Sequence, residues 1–126
     1  MPPLEGLYHV DNWAGTFRPK DLDHLIWTLM IAQPPHVATV HLEAARMDFA
    51  RKKPGETLQP VRLRSLAEGR CAQALYVGPF ATESVTTELI HDCLEANGLS
   101  MRGRHHEIYL GDPRRAAPET LRTLPR

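Results

Sequence analysis

At Pro60 the spacing of apolar residues changes, and no single type of secondary structure satisfies both halves of the chain. In DLDHLIWTLMIAQ before it, Leu22, Leu25, Ile26, Leu29 and Met30 recur at intervals of three and four, which would gather them on one helical face. Pro19 suits the first position of that helix, and Pro34 and Pro35 stop it. The same Pro pair can open a second helix with an apolar stripe of Val37, Val40, Ala44 and Met47, closed by ARKKPGE. The expectation for residues 19–53 is a helical hairpin.

After Pro60 the period falls to two. VRLRSL alternates Val61 and Leu63 with Arg62 and Arg64, and RCAQALYVG alternates Cys71, Leu75 and Val77 with Ala72, Ala74 and Tyr76, so both read as strands. Gly78 and Pro79 end the second run. Thr82 is a fitting N-cap for a helix facing inward through Val85, Leu89, Ile90, Cys93 and Leu94, and Asn97-Gly98 is its stop. HHEIYL and LRTLPR follow as strands, with DPRR as a turn, and PLEGLYHV reads as a short strand near the start. At 126 residues the whole is expected to be one α+β domain.

The chemistry concentrates in RHHEIYLGDPRR. In a strand, Ile108 and Leu110 would take one face and Glu107 and Tyr109 the other. The pattern alone leaves Glu107 as either a solvated residue or the lone acid of an apolar pocket. His105 and His106 would point to opposite faces, which argues against their sharing a metal, and the remaining histidines show no HExxH pairing. Neither a G-x-S-x-G elbow nor a phosphate-cradling glycine motif occurs, so no metal and no cofactor is expected. Cys71 and Cys93 lack metal or disulfide spacing and read as packing residues in a reducing, cytoplasmic setting. Fifteen basic residues balance fifteen acidic ones, which disfavours nucleic acid as a direct partner. The apolar runs are too short to cross a membrane, and the start lacks the features of a signal peptide.

LYVGPF (Leu75 to Phe80), EANG (Glu95 to Gly98), and HHEIYLGDPRR followed by APETLRT (Ala117 to Thr123) together resemble the GyrI-like small-molecule-binding domain, also found as the effector domain of multidrug-responsive regulators. PLEGLY and WTLMIAQP (Trp27 to Pro34) narrow the resemblance to stand-alone members similar to cyclopropanoid cyclopropyl hydrolases. The resemblance implies two strand-helix-strand-strand repeats side by side, with an antiparallel sheet and a ligand cleft between them. Here the second repeat (60–126) is nearly complete. The first is partial, without counterparts of its first strand and main helix, and the hairpin lies between the two.

The resemblance also implies a cleft lined by aromatic rings around one acid, with Glu107 carried over as that acid. A carboxylate in an apolar cleft is held back from full hydration, which makes it a better base than a surface one. Glu107 would activate water to open a strained cyclopropane conjugated to a dienone. Trp13, Trp27, Tyr76 and Tyr109 would hold the flat drug, with Glu5, Tyr8 and Phe80 as further binding candidates. The donor to the substrate carbonyl stays open between Tyr109 and a histidine. The expected partner is a flat, hydrophobic aromatic molecule, and a homodimer would cover the sheet edge that a partial first repeat exposes. The alternative from another class is a binding or sequestering module without chemistry.

Overall fold

The computed structural model describes residues 1–10 and 25–126. Seven elements follow in chain order: β1 (Leu4–Val10), β2 (Leu25–Ile31), α1 (Thr39–Lys52), β3 (Tyr76–Val77), α2 (Ser84–Ala96), β4 (His105–Tyr109) and β5 (Arg122–Pro125). The strands form one sheet in the order β2-β1-β4-β5-β3, with every pairing antiparallel. The expected α+β class is what the chain adopts. From residue 76 the order is strand, helix, strand, strand, as the periodicity requires.

The first helix of the expected hairpin is not one. Leu25–Ile31 is the edge strand β2, paired along its length with β1 from Leu4↔Ile31 to Val10↔Leu25. LIWTLMI carries apolar residues at period two as well as at three and four. With both periods present, its β-branched and aromatic residues and the waiting edge of β1 decide the outcome. Two other readings also change. VRLRSL forms no strand, because alternation selects faces but supplies no pairing partner, and RCAQALYVG reduces to the two ladder residues Tyr76 and Val77 opposite the short β5.

The chain divides into two compact units, Met1–Ala32 with Arg70–Arg126, and Gln33–Gly69. In the smaller, α1 opens on Ala38, whose N–H donates to His41 Nδ1 at 3.0 Å, and its polar side is laced by Glu43–Arg46 and Asp48–Lys52 ion pairs. The apolar stripe expected to be its inward face is exposed at Val40 and Met47. In the larger unit, α2 buries Thr87 and Ile90, whereas Val85 and Leu89, expected inside, are each 61% exposed. Cys71 and Cys93 are exposed too, contrary to the packing role expected of them.

The end of α2 follows its sequence closely. Gly98 takes φ +64°, its N–H donates to Glu95 O and that of Leu99 to Leu94 O, so the last carbonyls are satisfied through a left-handed glycine. At the other end the N-cap is Glu83, not the expected Thr82. Thr82 ends the short 3₁₀ turn Phe80–Thr82. Between these ends α2 holds Glu83, Ser84 and Thr87 against the cavity described next.

Candidate functional site

β4 and its neighbours decide which side chains meet. Tyr8 lies across from His105, Gly6 from Glu107, and Leu4 from Tyr109, and residues paired in this way share a face. That face opens into a cavity of about 1150 Å³, on the scale of pockets that take drug-sized molecules. Its walls are Leu4 and Tyr8 of β1, Leu25 and Leu29 of β2, the stretch Phe80 to Thr87 in part, and His105, Glu107 and Tyr109 of β4.

Glu107 stands between two residues that leave it room. Gly6 flanks it on β1 and Pro125 on β5, and neither has a long side chain to cover the carboxylate. The absence of a side chain at Gly6 has a second use. A Cβ there would lie 2.6 Å from the Tyr8 ring and hydroxyl, so only glycine lets Tyr8 lean along the strand over that position. The leaning ring brings the Tyr8 hydroxyl into hydrogen-bond contact with the Tyr109 hydroxyl, four residues along the ladder from the position opposite Tyr8.

These contacts form a directed chain. The Tyr109 hydroxyl donates to Glu107 Oε2 at 2.7 Å, and His105 Nε2 lies 3.0 Å from Oε1. A carboxylate only accepts, so His105 donates its Nε2 hydrogen. A hydroxyl has one hydrogen, and that of Tyr109 is committed to Glu107, so Tyr8 must be the donor in the Tyr8–Tyr109 contact. Burial raises the Tyr109 hydroxyl well above its usual range, and the bonds to Tyr8 and Glu107 add to the rise. Burial raises Tyr8 as well. Both hydroxyls therefore stay protonated and serve as donors. Phe80 closes against this group edge-on, its ring 5.7 Å from that of Tyr109 at 83°.

The residues picked out from the sequence separate in space. Tyr8, Phe80, Glu107 and Tyr109 meet in the cavity. Glu5 does not: it sits on the opposite sheet face, where Oε2 is 2.9 Å from Nε2 of the buried His106. Tyr76 donates to Pro79 O at 2.8 Å and contacts Thr82 Oγ1 outside the cavity wall. Trp27, across from Tyr8 in the β1–β2 ladder, is 59% exposed and forms no part of the wall. Trp13 falls outside the described residues. His105 and His106 do point to opposite faces, each toward its own carboxylate.

Glu83 was not singled out by the sequence. It is only 7% exposed, it lines the same cavity, and its Oε1 has no hydrogen-bond partner among the described residues. Burial first, and the Glu107 charge second, push its carboxyl up from the usual 4.5 to about 7. A glutamate at the start of a helix ordinarily reads as a solvated group favoured by the helix dipole, which hides it in ATES. Its place directly after the Gly78-Pro79-Phe80 turn that brings Phe80 to the cavity was the available signal.

Residues 23–124 match the GyrI-like small molecule binding domain, and the chain belongs to that family. The five-stranded antiparallel sheet with its two helices is consistent with that fold. The chain is also similar to solved structures from Listeria innocua: an uncharacterized conserved protein (38% identity, TM-score 0.86), a hydrolase (34%, 0.79), and a hydrolase encoded by lin2189 (38%, 0.82). Each similarity covers 98% of this chain, which spans 60 to 61% of the length of those proteins. No curated protein gives a significant match. Among the described residues, no helix is long and apolar enough to cross a membrane.

Proposed function

We propose that the cavity binds flat, hydrophobic aromatic molecules and hydrolyses the cyclopropane ring of DNA-alkylating cyclopropanoid antibiotics, as a detoxifying or self-resistance enzyme. The observation that carries the reading is the posture of Glu107: a carboxylate in a largely apolar cavity, fixed by His105 and Tyr109 on either oxygen, with the wall beside it left open by Gly6 and Pro125. A base held in this way can take a proton from water without losing its orientation.

The reaction balances without a cofactor. Water oxygen bonds to the ring methylene, its proton passes to Glu107, and the cleaved carbon–carbon bond delivers its electron pair through the dienone to the carbonyl oxygen, which becomes a phenolate and takes up one proton to give the phenol, equal to the one released to Glu107. Strain in the ring drives the step, and a positioned base contributes about a hundredfold to ten-thousandfold. Tyr8, Phe80 and Tyr109 offer ring faces and edges to a planar substrate. Similarity to the Listeria hydrolases supports a catalytic reading, and the small-molecule-binding description of the family supports the alternative of a binder without chemistry.

Incubation with a duocarmycin-type drug followed by mass spectrometry separates them. The hydrolase reading requires a product heavier than the drug by one water. Drug recovered unchanged, while tryptophan fluorescence shows that it binds, would leave the protein a sequestering module.

A further inference from the structure

Two carboxyls face one cavity, and they are held very differently. Glu107 comes from the sheet with a donor on each oxygen. Glu83 comes from the start of α2, more than nine-tenths buried, making no capping bond and with Oε1 lacking any partner among the described residues. A buried acceptor without a donor calls for an explanation, and a proton or a ligand group supplies one. The tyrosines, meanwhile, have no hydrogen to spare for a substrate. Tyr109 donates to Glu107, and Tyr8 donates to Tyr109.

Building on the hydrolase reading above, we propose that Glu83 is the acid of the reaction, donating its proton to the substrate carbonyl oxygen while Glu107 takes one from the attacking water. The two carboxyls then divide the chemistry between the helix side and the sheet side of the cavity. As the ring carbon–carbon bond breaks, the electron pair reaches the carbonyl oxygen and that oxygen takes the Glu83 proton. Turnover leaves Glu107 protonated and Glu83 ionised, and exchange with solvent after product release resets both with no net proton consumed.

The surroundings of Glu83 suit an acid that must hold its proton near neutrality. Burial and the Glu107 charge push it to about 7. The other titratable groups in the cavity wall are the amine of the exposed Met1, Tyr8 from β1, His105 and Tyr109 from β4, and Asp112 and Arg114 from the loop that follows. Arg114 is exposed and paired with Asp112 at 2.9 Å, so its charge is met locally.

The test is the pH profile of kcat/KM for a duocarmycin-type drug with the parent protein, Glu83→Gln and Glu107→Gln. The parent rate should fall as pH rises through about 7, where Glu83 loses its proton. Glu83→Gln should be slower by about a hundredfold and should lose that alkaline fall. A Glu83→Gln protein with the parent rate and the parent alkaline limb overturns the proposal. It would leave the base role intact if Glu107→Gln is inactive in the same assay. A parent protein that opens no drug at any pH overturns both.

Thermal melts give a readout independent of activity. The folded-state pKa of Glu83 lies above its unfolded value, so Glu83 holds its proton more tightly in the folded protein between about pH 4.5 and 7, and its contribution to stability declines as pH rises across that window. Glu83→Gln should lack this decline. Parallel melting curves for the two proteins across the window would overturn the buried-acid assignment.

Discussion

β4 carries two histidines side by side, and each meets a glutamate, yet the two pairs have different fates. On one face His106 is 1% exposed, and its Nε2 lies 2.9 Å from Oε2 of the part-buried Glu5, away from the cavity. On the other, His105 and Glu107 are 3.0 Å apart and open onto the cavity beside Tyr8, Tyr109 and Phe80. The residue types and distances nearly coincide. What differs is the neighbourhood, since the first pair lies outside the cavity wall, whereas the second is part of it and has lone pairs left for water or substrate. Function on this sheet is therefore a matter of face rather than of motif.

That contrast can be broken by substitution, and the largest expected effect is on the open side. Glu107→Gln keeps the shape but cannot take a proton, so turnover of a cyclopropane drug should fall by about two to four orders of magnitude, with ligand affinity within a few fold by fluorescence titration. Next is the face away from the cavity. His106→Ala empties a buried site and removes a partner of the part-buried Glu5, and should cost on the order of 2 kcal/mol of stability, about thirtyfold in the folding constant, in a denaturant melt. His105→Ala should cost far less, because its partner stays bonded to Tyr109 and in reach of water. Equal destabilisation by the two would erase the distinction between the faces.

A finer probe is Gly6→Ala, which places a methyl group where the Tyr8 ring lies and should push the Tyr8 hydroxyl off Tyr109. Turnover should drop about tenfold with little loss of fold, since the position is in a strand that an alanine can occupy. The smallest effect belongs to Trp27→Phe, outside the cavity wall and more than half exposed. Its turnover should change by less than about twofold. A larger change would return Trp27 to the site.

The sequence discloses alternation far better than it discloses partners. HHEIYL could be read as a strand with Glu107 and Tyr109 on one face, because period two fixes faces without reference to anything else. It could not show that Glu5, equally acidic and equally near an aromatic residue, falls on the face away from the cavity, since that depends on the β1–β4 register pairing Leu7 with His106. LIWTLMI satisfied two periods at once, and only its pairing with β1 settles which one counts. Glu83 was hidden for a related reason. Its burial arises from the way α2 meets the cavity, and nothing in the local run ATES distinguishes it from a solvated helix start.

The central claim, that Glu107 activates water rather than attacking the ring itself, is tested most directly by a single turnover of a duocarmycin-type drug in water enriched in heavy oxygen, followed by mass spectrometry of both product and protein. General-base catalysis predicts one solvent oxygen in the opened drug from the first turnover and a protein of unchanged mass. Attack by the Glu107 carboxylate would form an ester at the ring carbon, which would appear as a protein heavier by one drug molecule, or as a product carrying an unlabelled carboxylate oxygen once the acyl bond hydrolysed. Either of those results would contradict the account.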